Sequence, residues 1–565
     1  MENFWTKFYD PATAAHIPAL TDQSLIQFFD DHLTSFASRE CTSNMARAMS
    51  YKEVDNVARL VSRWLQAQSL SANASVAIML PNVQAYLPVM IGAIRSGYVL
   101  TPINPLHTAR ELEFQLIDAN TEVIFILENF AHALQKIIDK TPVKKVVIIR
   151  LGDLLGLKGK IVDIAVKYVK KMVAPYQIDQ KYQPLRLGQV LKAAQSMPYQ
   201  QPSKSLDDVA FIQYTGGTTG RPKGILLTHR NILTAVEQYY QWFLPVLNQQ
   251  KTVEQVFHSI LALPLYHIFA FIFSMLGMKS GMRMTLVTNP KDIASFINIL
   301  SAKPFHILPG VNTLFQALVN HPDFKNVDTR ELKLSIAGGM AATPATAKAW
   351  LELTGCPLIE GWGMSETIGA GTCNPLTNHE YTGDIGLPLP SIDIKICDDI
   401  GNEVALGEVG EICIKGDNVT IGYHNIDNTD YFLPEGHLKT GDIGMMMQNG
   451  HIKLMDRKKD MLIVSGFNVY PTEIEAVLLN HPKVQECAVI GVEDALQGQS
   501  VKAYIVKSDD SLTIDELKAF SHEQLTGYKR PRQYTFIEQL PKTAVGKIQK
   551  TELRLLEKNS IVNPT

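Results

Sequence analysis

The run Tyr214-Thr215-Gly216-Gly217-Thr218-Thr219-Gly220-Arg221-Pro222-Lys223-Gly224 comes straight after the apolar stretch Asp208-Val209-Ala210-Phe211-Ile212-Gln213. The apolar stretch reads as a buried strand and the glycine-rich run as the loop that leaves it. Closely spaced glycines let backbone N–H groups turn into one concavity, where phosphate oxygens can sit. The threonine hydroxyls add donors and the Lys223 ammonium adds positive charge. The Walker pattern G-x-x-x-x-G-K-[ST] does not fit, because Gly224 follows Lys223 and the glycine spacing differs.

On either side the chain alternates. Ser75–Leu80, Val123–Leu127, Val146–Ile149, Val209–Tyr214 and His306–Pro309 are apolar runs of strand length. They alternate with helical patterns such as Tyr51–Gln68 and Gln84–Gly97, which predicts βαβ units and parallel sheet. From about Gly383 to Leu454 the texture changes to short strands broken by turns, predicting a β-rich subdomain. Beyond Asp456 come strand Met461–Val464, helix Pro471–Asn480, strands Val484–Val492 and Lys502–Val506, and helix Ile514–Gln524. These predict an α+β unit long enough to fold alone, with the polar Asp456–Asp460 as linker. The expected fold is thus α/β: a large N-terminal domain over 1–455 and a small C-terminal α+β domain over 461–565.

The chain has 565 residues, 46% of them hydrophobic, with 53 Lys+Arg against 56 Asp+Glu and a net charge of −3. Near-neutrality argues against a nucleic-acid partner, which needs a basic excess to neutralise phosphates. Cys41, Cys356, Cys373, Cys397, Cys413 and Cys487 are scattered without a C-x-x-C pair. Neither a disulfide framework nor a structural zinc site is expected, and a reducing, cytoplasmic compartment fits. The opening MENFWTKFYDPATAAHIPAL lacks the basic start and apolar block of a secretory signal. Ile260–Gly277 reaches the lower length limit of a membrane span, but Pro264 and His267 interrupt it, so it reads as buried core beside a ligand pocket. In Lys158–Tyr176, Val162, Ala165, Val166, Val169, Met172 and Val173 recur at helical spacing, with Lys160, Asp163, Lys167 and Lys170 on the other side. That pattern fits a helix lying on an anionic surface, such as the cytoplasmic face of an inner membrane, or a helix packed on its own domain with solvated lysines.

Further motifs follow in order: LPLYHIFA at Leu263–Ala270, EGWGMSET at Glu360–Thr367, LKTGD at Leu438–Asp442, DRKKDMLIVSGFNVYPTEIE at Asp456–Glu475 and PKTAVGKIQK at Pro541–Lys550. With YTGGTTGRPKG they resemble those of the adenylate-forming (AMP-binding) enzymes, the family of acyl-CoA synthetases, luciferases and peptide-synthetase adenylation domains. Within that family the chain is similar to the bacterial long-chain-fatty-acid–CoA ligases nearly end to end, including Pro105–Leu116, Gly310–Leu318 and Leu525–Arg532. Such enzymes solve a leaving-group problem. A carboxylate oxygen leaves poorly, so it is first converted to an acyl-AMP anhydride.

The resemblance implies a role for each position. Thr215, Gly216, Gly217, Thr218, Thr219, Gly220 and Lys223 would hold the ATP phosphates, and Glu366 with Thr215 would hold Mg2+. Gly338, Gly363, Met364 and Ser365 would line the nucleotide, with Trp362 stacking on adenine where the family usually has Tyr. Asp442 and Arg457 would bind the ribose. Lys547 would neutralise charge between carboxylate and α-phosphate, completing a catalytic set with Glu366, Lys223 and His267. Residues 456–460 would form a hinge at Lys459 that makes the small domain mobile, and Gly466 would admit the pantetheine arm of CoA. His267, Phe271, Val311, Gly339 and Met340 would line an acyl pocket, although His267 also reads as a satisfied core histidine. Ser365, His437 and Ile463 depart from the residues usual in relatives.

The implied activity is ATP-dependent conversion of a medium- or long-chain fatty acid to acyl-AMP, then transfer to CoA. Two alternatives stay open: loading of a carrier-protein thiol, and a shorter or aryl acid as substrate. Homodimer formation is open as well.

Overall fold

The computed structural model describes residues 3–215, 222–249, 256–378, 380–494, 498–543 and 546–562. The chain divides into two compact units, 1–393 with 415–431, and 394–414 with 432–565.

In the larger unit, β1 (Ser75–Met79), β2 (Val99–Pro102), β3 (Thr121–Leu127) and β4 (Lys145–Ile149) pair in parallel in the order β2-β1-β3-β4. Every residue of β1 and β3 is buried, which is why they read as unbroken apolar runs. Helices α1 (Tyr51–Gln66), α2 (Tyr86–Arg95) and α3 (Ala109–Asp118) alternate with these strands. α1 and α3 each start with a capping box, Ser50 with Glu53 and Thr108 with Glu111.

Helix α4 (Leu157–Ile164), continued by a wider turn over Ala165–Val169, buries only part of the stripe its periodicity predicts. Of the expected stripe only Val166 is fully buried, while Val169 and Met172 are exposed. The row left outward is Leu157, Ile161, Ile164, Tyr168 and Met172, which are 86%, 70%, 57%, 68% and 56% exposed. A backbone contact sets this rotation. A Cβ on Gly159 would stand 2.0 Å from the Gly152 carbonyl oxygen, and the Gly152 N–H donates to Asp163 Oδ1 at 2.8 Å. The glycine face therefore lies inward and the isoleucines point away.

β5 (Val209–Thr215) adds to the sheet parallel to β2, and β6 (Lys223–Thr228) folds back antiparallel on β5. In a second sheet, β7 (His258–Leu261), β8 (Ile307–Gly310), β9 (Leu334–Ala337) and β10 (Leu358–Trp362) run parallel in that spatial order. α5 (His229–Leu247) follows β6, and α6 (Ile268–Lys279) follows β7. Ten of the twelve residues of α6 are buried. The apolar run 260–277 is thus a strand end, a turn and a core helix, and no helix among the described residues is long and apolar enough to cross a membrane.

In the smaller unit, β11 (Asp393–Cys397), β12 (Gly410–Lys415), β13 (Leu438–Met446) and β14 (Ile452–Arg457) form a four-stranded sheet in that order. The β-rich texture of 383–454 is therefore shared out, because Leu387–Pro388 and Gly422–Tyr423 pair into the sheets of the larger unit. Then follow β15 (Leu462–Val464), β16 (Phe467–Val469), α7 (Pro471–Leu478), β17 (Val484–Asp494), β18 (Gly498–Lys507), α8 (Ile514–Gln524) and β19 (Gln533–Phe536). The sheet order is β16-β15-β18-β17, with β19 parallel to β18. Ile474, Leu478 and Leu517 of the helices close over Val489, Ala503 and Ile505 of the sheet. The expected linker begins as the last two residues of β14, Asp456 and Arg457, and turns directly into β15. All six cysteines are buried free thiols.

Candidate active site

Gly310, Ala337 and Glu360 stand in register across β8, β9 and β10, so the residues at and beyond these strand ends gather at one edge of the sheet. They are Val311 after β8, Gly338, Gly339 and Met340 after β9, and Trp362 to Glu366 at the end of β10. Open parallel sheets bind ligands at the carboxyl ends of their strands. The segment after β7 is held by Asn82, whose amide donates to the Leu261 and Leu263 carbonyls at 3.0 and 2.8 Å and accepts from the Leu265 N–H at 2.8 Å. His267 then caps α6, its Nδ1 accepting from the Phe269 N–H at 3.4 Å. Phe271 is buried against Phe211 of β5, ring centroids 4.9 Å apart. Val311 is buried and Met340 half-buried. A Cβ on Gly338 would meet the Phe269 ring at 2.8 Å.

Trp362 is buried, its ring lying over Gly371. At Gly363 a Cβ would stand 2.0 Å from the Gly369 carbonyl oxygen, so only glycine permits this chain crossing. Met364 and Ser365 lead into a tight turn closed by the Met364 N–H to Thr367 Oγ1 bond of 3.1 Å. Glu366 is buried, and its Oε1 accepts from the Tyr423 O–H at 2.9 Å.

Thr215 and Lys223 face each other across the β5–β6 hairpin, as do Tyr214 and Gly224. Gly216, Gly217, Thr218, Thr219 and Gly220 lie outside the described residues. Both feet of the loop are anchored. The Tyr214 O–H donates to Asp118 Oδ2 at 2.5 Å, and the His424 N–H donates to the Gly224 carbonyl at 2.7 Å. Lys223 Nζ donates to Tyr431 Oη at 2.7 Å and lies 4.5 and 5.3 Å from the ring centres of Tyr431 and Tyr423. Burial, with the carboxylates of Asp118 and Glu366 beside them, pushes the Tyr214 and Tyr423 phenols well up, so both stay protonated donors. The Glu366 carboxylate and the Thr215 hydroxyl are hard oxygen groups. They suit Mg2+, which takes its remaining ligands from water and substrate phosphates.

In the smaller unit, Asp442 and Arg457 stand directly opposite on β13 and β14, with Arg457 Nε 2.7 Å from Asp442 Oδ1. Lys459 lies in the turn after β14, between Lys458, held by Asp399 and Glu411 at 3.0 and 3.1 Å, and Asp460, held by Arg554 at 2.7 Å. Gly466 is at the exposed tip of the β15–β16 hairpin with φ +84°, and nothing lies within 4 Å of where a Cβ would be. Lys547 is half-buried on a turn closed by the Thr543 N–H to Lys547 carbonyl bond of 2.7 Å. The structure thus joins Asp442 to Arg457, and Lys223 to Glu366 through two tyrosines. Asn82, Asp118, Tyr423 and Tyr431 carry this arrangement without having been singled out in the sequence. Gly422-Tyr423 was the one available signal, a Gly-Tyr step inside a β-textured stretch.

Two family models match the chain: AMP-binding enzyme over residues 29–424, and AMP-binding enzyme C-terminal domain over 473–547. The chain belongs to the AMP-binding enzyme family. The long-chain-fatty-acid–CoA ligases of Salmonella typhimurium and Yersinia pestis are 41% and 42% identical to this AMP-binding enzyme over 558 residues, 98% of this chain and 98% of theirs. Among solved structures, ATP-bound MatB from Rhodopseudomonas palustris has a TM-score of 0.76 at 26% identity, covering 94% of this chain and 99% of that one. An anthranilate CoA ligase in complex with anthranoyl-AMP shares the fold, with a TM-score of 0.81 at 23% identity over 96% of this chain and 98% of its own.

One buried carboxyl of this AMP-binding enzyme titrates near neutrality. Burial pushes Glu360 up to about 7, against the pull of the Ala342 N–H bonded to it at 2.8 Å, and the charge of Asp384 adds to the rise. A carboxyl raised on folding favours its neutral form. Its contribution is therefore complete below the ordinary carboxylate range and is lost as pH climbs toward 7. At about 1.4 kcal/mol per pH unit that is roughly 3 kcal/mol. Glu360→Gln keeps the acceptor for Ala342, so its thermal midpoint should fall less between pH 5 and pH 8 than that of the wild type. Parallel pH profiles for the two proteins would show that Glu360 does not titrate there.

Proposed function

We propose that the chain is an AMP-forming ligase that activates a fatty acid with ATP and passes the acyl group to CoA. One observation carries this reading: β5 brings a charged corner and an apolar wall together. Its hairpin places Lys223 beside Tyr431 and Tyr423, the second of which donates to Glu366, while its Phe211 packs on Phe271 of α6 and its Gln213 donates to the Tyr266 carbonyl at 3.3 Å.

The chemistry starts from repulsion, since a fatty carboxylate must approach the α-phosphate of ATP. A carboxylate oxygen attacks the α-phosphorus, the bond to the pyrophosphate oxygen breaks, and acyl-AMP and pyrophosphate result. The CoA thiolate then attacks the acyl carbon and the C–O bond to AMP breaks, leaving thioester and AMP. Lys223 and the glycine-rich loop meet the phosphates, and Lys547 brings a second cation to the carboxylate and α-phosphate. Glu366 and Thr215 would hold Mg2+, which when bound offsets phosphate charge. Asp442, oriented by Arg457, accepts from the ribose hydroxyls, and Trp362 offers an aromatic face to adenine beside Gly338, Gly363, Met364 and Ser365. Phe271, Val311, Gly339 and Met340 wall the acyl chain, with His267 at its polar end. Gly466 gives the pantetheine arm a close approach, which its open surroundings favour. Residues 461–565 rotate about Lys459 between the half-reactions.

Lys547→Ala should abolish fatty-acid-dependent ATP–pyrophosphate exchange almost completely while sparing thioester formation from supplied acyl-AMP. Equal loss of both half-reactions contradicts the rotation. Acyl-AMP that accumulates untouched by CoA yet is consumed by a carrier-protein thiol reassigns the acceptor.

A docking surface belongs to the same reading. The outward row Leu157, Ile161, Ile164, Tyr168 and Met172 is flanked by Lys158, Lys160, Lys170 and Lys171, all exposed. An apolar strip edged with lysines complements an anionic lipid surface. Ile161→Glu with Tyr168→Glu alters only exposed positions and should abolish cosedimentation with phosphatidylglycerol vesicles at unchanged thermal midpoint. Undiminished binding to those vesicles would remove the membrane from the account.

A further inference from the structure

A strap of chain, residues 417–431, crosses the charged corner and carries two tyrosines into it. The Asn231 amide donates to the Asp417 and Val419 carbonyls, each at 2.8 Å. The Asn418 amide donates to the Thr367 and Ala370 carbonyls at 3.1 and 2.7 Å, on the turn that carries Glu366. Thr420 donates its N–H to the Glu366 carbonyl at 2.7 Å and its hydroxyl to the Leu226 carbonyl at 2.6 Å. Gly422 and Tyr423 then pair antiparallel with Leu226 and Ile225 of β6. Asn428 clamps the Tyr423 backbone from both sides, accepting its N–H at 2.7 Å and donating to its carbonyl at 3.2 Å. The strap ends in the turn Thr429–Tyr431, which sets the Tyr431 ring 4.6 Å from the Tyr423 ring.

We propose that Tyr423 and Tyr431 are positioning residues, Tyr423 orienting the Glu366 carboxylate and Tyr431 the Lys223 ammonium, so that the metal and the triphosphate of one nucleotide meet a preset pair of charges. The inference rests on the functional reading above. A carboxylate turns freely about its last torsion unless one oxygen is held, and the Tyr423 O–H at 2.9 Å holds Oε1. A lysine stem is long and flexible. Here its ammonium is fixed by a phenol oxygen at 2.7 Å and two ring faces, partners that orient the charge without cancelling it. Both partners are neutral, so an incoming phosphate breaks no ion pair with them.

The test uses the full chain and measures ATP binding by titration calorimetry in the absence of fatty acid, once with Mn2+ in place of Mg2+ and once with EDTA. Tyr423→Phe should weaken Mn2+-ATP binding about 3- to 10-fold, the effect of one hydrogen bond, and change metal-free binding by less than about twofold. Tyr431→Phe should weaken both forms about 3- to 10-fold and add nothing when Lys223 is already Met. The KM for fatty acid should stay within about twofold of wild type in both variants, a split that general loosening of the site would not produce. Equal weakening of both nucleotide forms by Tyr423→Phe, or full additivity of Tyr431→Phe with Lys223→Met, overturns the proposal. Unchanged binding by both variants beside a wild type that binds does so too, and leaves the functional reading intact. A wild-type chain that binds no ATP overturns that reading itself and this inference with it.

Discussion

Antiparallel pairing of Gly422 and Tyr423 with Leu226 and Ile225 is a ladder of two residue pairs, and the site of the larger unit depends on it. Lys223 belongs to the sheet of β1 to β6, and Glu366 follows β10 of the other sheet. Two sheets have no intrinsic reason to hold a cation and a carboxylate at a set spacing. The strap supplies it, because its backbone bonds to β6 on one side and to the Glu366 turn on the other. Gly422 makes the step possible: its φ of +138° is a conformation other residues rarely take, and Asn428 lies 2.8 Å from where a Cβ would be.

Neutral partners are the second constraint. A carboxylate and an ammonium left in direct contact would satisfy each other, and a triphosphate would have to separate them at the cost of a buried ion pair. Placing a phenol on Lys223 orients its ammonium without cancelling the charge. Asp442 and Arg457 follow the opposite logic. Arg457 is half-exposed and Asp442 buried, so the guanidinium can reach solvent while it orients the carboxylate.

Strand positions were legible because β1, β3 and β8 are buried on both faces and leave unbroken apolar runs in the sequence. The glycine-rich loop and the Glu366 turn were legible because their chemistry needs residue types found together locally. Tyr423 and Tyr431 were not, since their partners lie 57 and 208 residues away and a tyrosine in a β-textured stretch has the ordinary look of a strand residue. Asn82 was hidden for the same reason: its three backbone partners are about 180 residues distant, and only folding makes it the brace of the Leu263–His267 segment. The face of α4 failed differently. Periodicity finds an apolar stripe but not the rotation that leaves a second apolar row outward, and here that rotation was set by the contact of Gly152 with Gly159, glycines that carry no hydropathy signal at all.

The outward apolar row of that helix bears on the substrate. Each methylene of a fatty chain gains about 0.8 kcal/mol on leaving water, so a long-chain acid resides in lipid rather than in solution. An enzyme drawing such a substrate from water would meet it at vanishing concentration. One resting on the bilayer meets it where it is abundant. An overall charge of −3 would oppose approach to an anionic membrane if it were spread evenly. It is not, for four exposed lysines edge the apolar row of α4 and its extension, and screening makes such local charge count at short range. The inward turn of two glycines thus exposes apolar area that water penalises.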